Sequence, residues 1–352
     1  MTPDRGAHVV RAGSIQREQP HGWDLLRILA ASIVVLSHSY LLQTGSEPSP
    51  LVYADRPFNW GRLGVFIFFV ISGYLICGSW LSRPNLSLFA RKRFRRIYPA
   101  LALMVLLTAF LVGPLVTTSS NYFGESGTWV FTVRNLLLFP YEYTLPGVFD
   151  GQVVNGVLWT LGVEVAAYAL IALLGFTGAL RPAVLLALTL LFSLAGWFWI
   201  YDHAPDWYDP LGIRLGLVAF FTAGAWARIA DFGVSWRAAA AGAVLLAVPM
   251  LADLPLSIVA VPAITVIVLY LGTRPARWAS KFVRLGDPSY GIYVYGYVIQ
   301  QLLTHAFIDQ GHPLMLFGLS LILSMAAGYA SWHLWERRFV KTSRAVPRDS
   351  VP

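Results

Sequence analysis

The chain has 352 residues, of which 57% are apolar and only 12% charged, and its mean hydropathy is +0.60. An average soluble domain is about one quarter charged, so this composition excludes a water-soluble globular enzyme, a disordered chain and a nucleic-acid module. The net charge of +8 sits in loops between long apolar runs and needs no nucleic-acid partner, and the single cysteine, Cys77, excludes an internal disulfide framework and a thiolate metal cluster.

A membrane-spanning helix needs about 20 apolar residues. Runs that meet this need are predicted at 25–42, 63–80, 97–116, 158–178, 183–201, 211–229, 238–252, 255–272, 289–308 and 313–334. The seventh is short and the eighth follows it closely. The first run contains Arg27 and His38 and lacks a small-residue cleavage site, so it reads as a span and not as a signal peptide. The fold class is therefore an all-α integral membrane protein of about ten helices. A single membrane domain, 23–341, lies between polar tails at 1–22 and 342–352. Thirteen Trp and sixteen Tyr suit aromatic belts at two membrane interfaces.

Lys and Arg collect on the cytoplasmic side of membrane proteins. With the N-terminus inside, 22 of the 26 Lys and Arg fall in inner segments, and only Arg56, Arg62, Arg134 and Arg214 fall outside. Asp202, Asp206 and Asp209 fall in an outer loop. Both termini are then cytoplasmic. One outer stretch, 117–157, is too long for a simple connection and contains the apolar piece TWVFTVRNLLLF, 128–139. Twelve residues cannot span, so this piece is predicted to be a re-entrant or surface-lying helix. It carries Arg134, which with Trp159 and Tyr290 is a candidate for binding an acceptor; a lid that only covers helix ends is the alternative.

Polar residues inside spans are costly and mark function or pairing. In the first run, Asp24 and Arg27 are three apart and within ion-pair reach. Arg27 and His38 are eleven apart, about three turns, which places them on one face about 16 Å apart along the axis. Glu164 in the fourth span lies at a similar depth to His38 and could orient its ring, the usual arrangement for taking a proton from a hydroxyl. Alternatively, Glu164 holds helices together by pairing with Arg214 or a backbone group. The run ARKRFRR, 90–96, places Arg91, Arg93 and Arg96 among cations at the inner surface. Such a cluster attracts anionic lipid and equally suits the phosphates of a cytoplasmic donor.

Several motifs together resemble the acyltransferase-3 family of polytopic membrane proteins. Arg27 and His38 match its basic residue, ten residues, then His. FIFFVISGYLI (66–76), ARKRFRRIYPAL (90–101), LWTLGVEVAAY (158–168), GDPSYGIYVYGYVIQ (286–300) and WERRFVK (335–341) resemble its later motifs in order. The resemblance covers residues 23 to 341. It implies an O-acyltransferase of the bacterial cytoplasmic membrane that moves an acyl group, usually acetyl, from acyl-CoA to a hydroxyl of a surface, exported or lipid-linked saccharide. It implies no permanently bound cofactor and no metal. His38 would be the catalytic residue, with Arg27 its motif partner and Asp24 and Glu164 nearby. Arg91, Arg93 and Arg96 would hold the donor, and Ser72 and Gly73 would line its path. Gly296 stands where many members carry His, so no second histidine is implied there. A transporter, whose paths also contain intramembrane charges, and a non-catalytic subunit of a polysaccharide export system are the competing classes.

Overall fold

A computed structural model describes residues 22–48, 59–138, 140–203, 210–252, 257–275, 288–307 and 311–341. The tails at 1–21 and 342–352, Asp206 and Asp209, the cations Arg277, Lys281 and Arg284, and the first two residues of the GDPSY motif lie outside the described residues.

Regular structure among the described residues is helical, and the described part of each of the ten apolar runs falls mostly in a helix. These are α1 (Gly22–Thr44), α2 (Trp60–Ser82), α3 (Leu86–Leu107), α5 (Leu158–Phe176), α6 (Pro182–His203), α7 (Pro210–Ile229), α8 (Trp236–Ala252), α9 (Ser257–Gly272), α10 (Ser289–Ala306) and α11 (Pro313–Ser331). A twelve-residue helix, α4 (Ser126–Leu137), overlaps the apolar piece 128–139, whose last residue lies outside the described residues. Six of these helices, α1, α2, α3, α5, α7 and α11, are long and apolar enough to cross a membrane. The apolar stretches of α6, α8 and α9 are shorter, and α8 and α9 pack on one another.

Sequence signals explain the ends. Asn59 caps α2 by accepting from the Arg62 N–H at 2.7 Å, and Asn85 caps α3 by accepting from the Leu88 N–H at 2.8 Å. α3 starts eleven residues before its apolar run, so the cations 91–96 are part of the helix. Beyond Leu107 it continues through a π turn, Thr108–Val112, to Val116, and the Tyr122 hydroxyl donates to the Ala109 carbonyl inside that turn. Pro99 removes one rung of the α3 ladder. Nearby carbonyls take side-chain donors instead, Ile97 from Tyr290 at 3.0 Å and Pro99 from Trp335 at 3.1 Å.

α1 packs against α2, α9, α10 and α11, and α2 packs against α1, α5, α7 and α9, so these two helices form the centre. Small residues let α2 and α7 approach closely. A Cβ at Gly73 would lie 1.9 Å from the Phe221 carbonyl oxygen, and one at Gly224 would lie 2.2 Å from that of Val70. Gly73 therefore serves a helix crossing. α10 is less apolar than the spans beside it but is largely buried by protein. Its Gln300 amide N–H donates to the Val35 carbonyl and Gln301 to that of Val153, so these two amides donate to neighbouring segments and not into lipid.

Candidate active site

α1, α2, α3, α5 and α10 surround a chamber with an empty volume of about 780 Å³. Three guanidiniums line it, Arg27 from α1 and Arg93 and Arg96 from α3. Arg27 pairs with Asp24 at 3.4 Å, as the three-residue spacing predicts. Arg93 stacks between the rings of Phe89 and Tyr168, 5.7 and 5.9 Å from their centroids. Its Nε is buried and has no hydrogen-bond partner among the described residues. Arg96 lies over the Tyr290 ring at 5.8 Å. Arg91, in contrast, is exposed and does not line the chamber.

Among the described residues, Glu164 is the one carboxylate that lines the chamber. Ser72 donates to its Oε1 at 3.1 Å, and the Tyr168 hydroxyl donates to the same oxygen. The partner of Glu164 is therefore neither Arg214 nor a backbone group. Its charge also acts on Arg93. At the deep end Thr160 donates to the Val157 carbonyl at 2.9 Å, which leaves its oxygen to accept from Tyr293 at 2.6 Å. Phe68 meets the Tyr293 ring edge-on at 5.6 Å, and both rings line the chamber.

His38 lies beyond that end. Its carboxylate neighbour is Glu47, with Oε1 3.8 Å from Nε2, and this corrects the pairing with Glu164. The turn after α1 makes the contact. Gly45 adopts φ +74° and donates to the Leu41 carbonyl, which reverses the chain and folds Glu47 back toward α1. Asn59 hydrogen-bonds Glu47, and the Arg62 charge acts on it; burial nonetheless holds this carboxyl above the usual carboxylate range. On the other side Tyr297 meets the imidazole edge-on at 5.0 Å. Tyr290, Tyr293 and Tyr297 recur at helical spacing, so one face of α10 runs from the Arg96 end of the chamber to His38, a rise of about 10 Å.

Of the three residues expected near an acceptor, Tyr290 instead lies in the chamber beside Arg96. Arg134 is half-exposed on α4 and pairs with Glu142 at 3.3 Å. Trp159 is half-buried at the start of α5. Glu47, Tyr168, Tyr293 and Tyr297 were not singled out from the sequence. The period of the α10 tyrosines, SYGIYVYGY, could have revealed two of them.

The acyltransferase-3 family model, described as an acyltransferase domain, matches residues 21–333. An "O-acetyl transferase" of Shigella phage Sf6 is 27% identical over 94% of this chain and 98% of its own length. "Nodulation protein 10" of Rhizobium leguminosarum bv. viciae is 29% identical over 94% of this chain and 96% of its own. "Acyltransferase MdmB" of Streptomyces mycarofaciens is 28% identical over 31% of this chain and 27% of its own. No solved structure matches the chain. A family match that runs from the start of α1 through the end of α11 shows that the chain belongs to the acyltransferase-3 family and is a membrane acyltransferase.

Proposed function

We propose that the chain transfers an acyl group from cytoplasmic acyl-CoA to a hydroxyl of a saccharide on the outer side of a bacterial cytoplasmic membrane. The acyl group is acetyl, by likeness to the phage O-acetyl transferase. Ten spans with both termini inside fit this reading, since 22 of 26 Lys and Arg then face the cytoplasm. The observation that carries it is the pairing of two sites along α1. A chamber lined by Arg27, Arg93 and Arg96 occupies one end, and His38 with Glu47 occupies the other.

The guanidiniums suit the phosphates of CoA, since planar forks bind phosphate oxygens in pairs. The thioester arm extends from the chamber toward His38, past Phe68 and Tyr293. His38 takes the proton of the acceptor hydroxyl, and the oxygen attacks the thioester carbonyl carbon. The carbon–sulfur bond then breaks, and the CoA sulfur leaves and takes up a proton. Glu47 holds the imidazole. A separation of 3.8 Å is ion-pair range and longer than a hydrogen bond, and such contacts tighten when substrate binds. With Nε2–H donating to Glu47, Nδ1 is the base.

The test uses the purified full chain in phospholipid nanodiscs with acetyl-labelled acetyl-CoA and an extract of lipid-linked saccharides. Free CoA thiol should appear in step with label in the saccharide. Thiol release with no labelled saccharide, or binding of acetyl-CoA with no turnover in any extract, would overturn the reading.

A further inference from the structure

A second hollow lies outside the chamber. α3 and α5 leave between them a groove with an empty volume of about 1180 Å³ and an almost wholly apolar lining. On α3 it is lined by Leu86, Phe89, Ala90, Arg93, Phe94 and Ile97, positions that share one helical face. On α5, residues from Val165 to Phe176 line it at the same spacing. Its lips are open, since Leu86, Phe94, Leu173 and Phe176 are all exposed.

Three features indicate the occupant. From the level of Arg91 to the lining residue Tyr98 the groove rises about 10 Å at 1.5 Å per residue, so a phosphate at Arg91 leaves apolar wall beyond it for an acyl tail. The groove lies on the cation-rich stretch of α3, 91–96. Arg91 is exposed and stands seven residues from the lining residue Tyr98, about 20° apart around the helix. It thus sits on the groove's rim, where it can meet a phosphate. The back wall is shared with the chamber, because Arg93, Ile97 and Tyr168 line both.

We propose that the α3–α5 groove binds one acyl tail of an anionic phospholipid of the cation-rich leaflet, with the lipid phosphate held by Arg91. The tail covers the apolar face behind Arg93 and keeps water from reaching that guanidinium through the side of the bundle. This inference concerns lipid binding and stands apart from the acyl-transfer reading.

The full chain is taken from nanodiscs of equal phosphatidylglycerol and phosphatidylcholine into detergent and weighed by native mass spectrometry. One retained phospholipid is expected, with phosphatidylglycerol favoured about fivefold, the increment of a single basic side chain at an anionic surface. Arg91→Gln should bring that ratio close to one. Ala169→Trp should fill the groove and lose the retained lipid, and Leu173→Gln at the exposed lip should weaken retention even if Ala169→Trp fails to fold. Equal retention of both lipids in wild type and in Arg91→Gln would overturn the proposal. So would a dimer mass that Ala169→Trp abolishes, which would make the groove an interface between copies. Displacement of the lipid by palmitoyl-CoA, one for one, would assign the groove to the donor's chain and also overturn it.

Discussion

The Nε2 of His38 faces the Oε1 of Glu47 at 3.8 Å, across the turn that follows α1. The two residues are nine apart, too far for one helix face to unite them, and the reversal at Gly45 does so instead. This places the carboxylate just past the C-terminal end of α1, while the ring of Tyr297 meets the imidazole from α10. In the proposed reaction the acid then stands on the acceptor side of the base and the donor on the chamber side.

General-base assistance is worth about 10²–10⁴-fold, so His38→Ala should lower transfer by at least about 100-fold. The protein should still elute as one species and bind acetyl-CoA. Turnover within about tenfold of wild type would make His38 structural.

The acid limb of the rate should report Glu47. Burial raises its pKa, and Arg62 and Asn59 oppose the rise. As pH falls through that raised value, Glu47 gains a proton, loses its charge and no longer holds the imidazole. Removing the opposing charge with Arg62→Gln should raise the pKa further and move the acid limb to higher pH. Glu47→Gln should lower the rate at all pH values and make the limb insensitive to Arg62→Gln. A limb unmoved by Arg62→Gln in the wild-type background would detach Glu47 from the reaction.

Glu164 has a different role. Its carboxylate accepts from Ser72 and Tyr168 and its charge acts on Arg93. Hydrogen bonds to a charged group contribute about 1.5–3 kcal/mol each. Glu164→Gln should therefore lower thermal stability in detergent and raise KM for acetyl-CoA, while the acid limb stays where Glu47 sets it. Loss of the limb in Glu164→Gln, with KM unchanged, would restore Glu164 as the partner of His38.

Arg93 and Arg96 should divide donor recognition between them. Replacing both with Gln should raise KM for acetyl-CoA far more than KM for the acceptor. Arg93→Lys should not rescue it, because an ammonium cannot lie flat between Phe89 and Tyr168. Steady-state kinetics per folded molecule decide this. Altered yield with unaltered donor KM would leave the two arginines as lipid anchors.

How much of this was legible follows from the range over which each signal acts. Run length located the long helices among the described residues, because lipid imposes it residue by residue. The Asp24–Arg27 pair was legible, since three-residue spacing on a helix fixes the contact. Arg93 and Arg96 stood out as charges in an apolar chain. Arg91 belongs to the same run, yet a rotation of 200° around α3 separates it from Arg93 and leaves it outside the chamber. The partner of His38 was hidden because it depends on a loop reversal, and matching depths along two helices suggested Glu164 instead. Depth says nothing about direction around an axis. Gly73 looked like a path residue beside Ser72 but faces the carbonyl of Phe221, since adjacent positions on a helix point about 100° apart.

The last expectation concerns orientation, on which the separation of donor and acceptor depends. Ser120 is exposed before α4, in the segment assigned to the outside, and Ser235 is exposed before α8, in a segment assigned to the cytoplasm. The native thiol of Cys77 is buried between packed helices and should stay silent. Ser120→Cys should react with an impermeant maleimide on intact cells. Ser235→Cys should react only after the membrane is opened. Labelling of Ser235→Cys in intact cells, with Ser120→Cys protected, would invert the bundle. The arginine chamber would then open away from the cytoplasmic pool of acyl-CoA, and His38 with Glu47 would face inward. A cytoplasmic donor could not then enter at Arg93 and Arg96, and the proposed reaction would have to be abandoned.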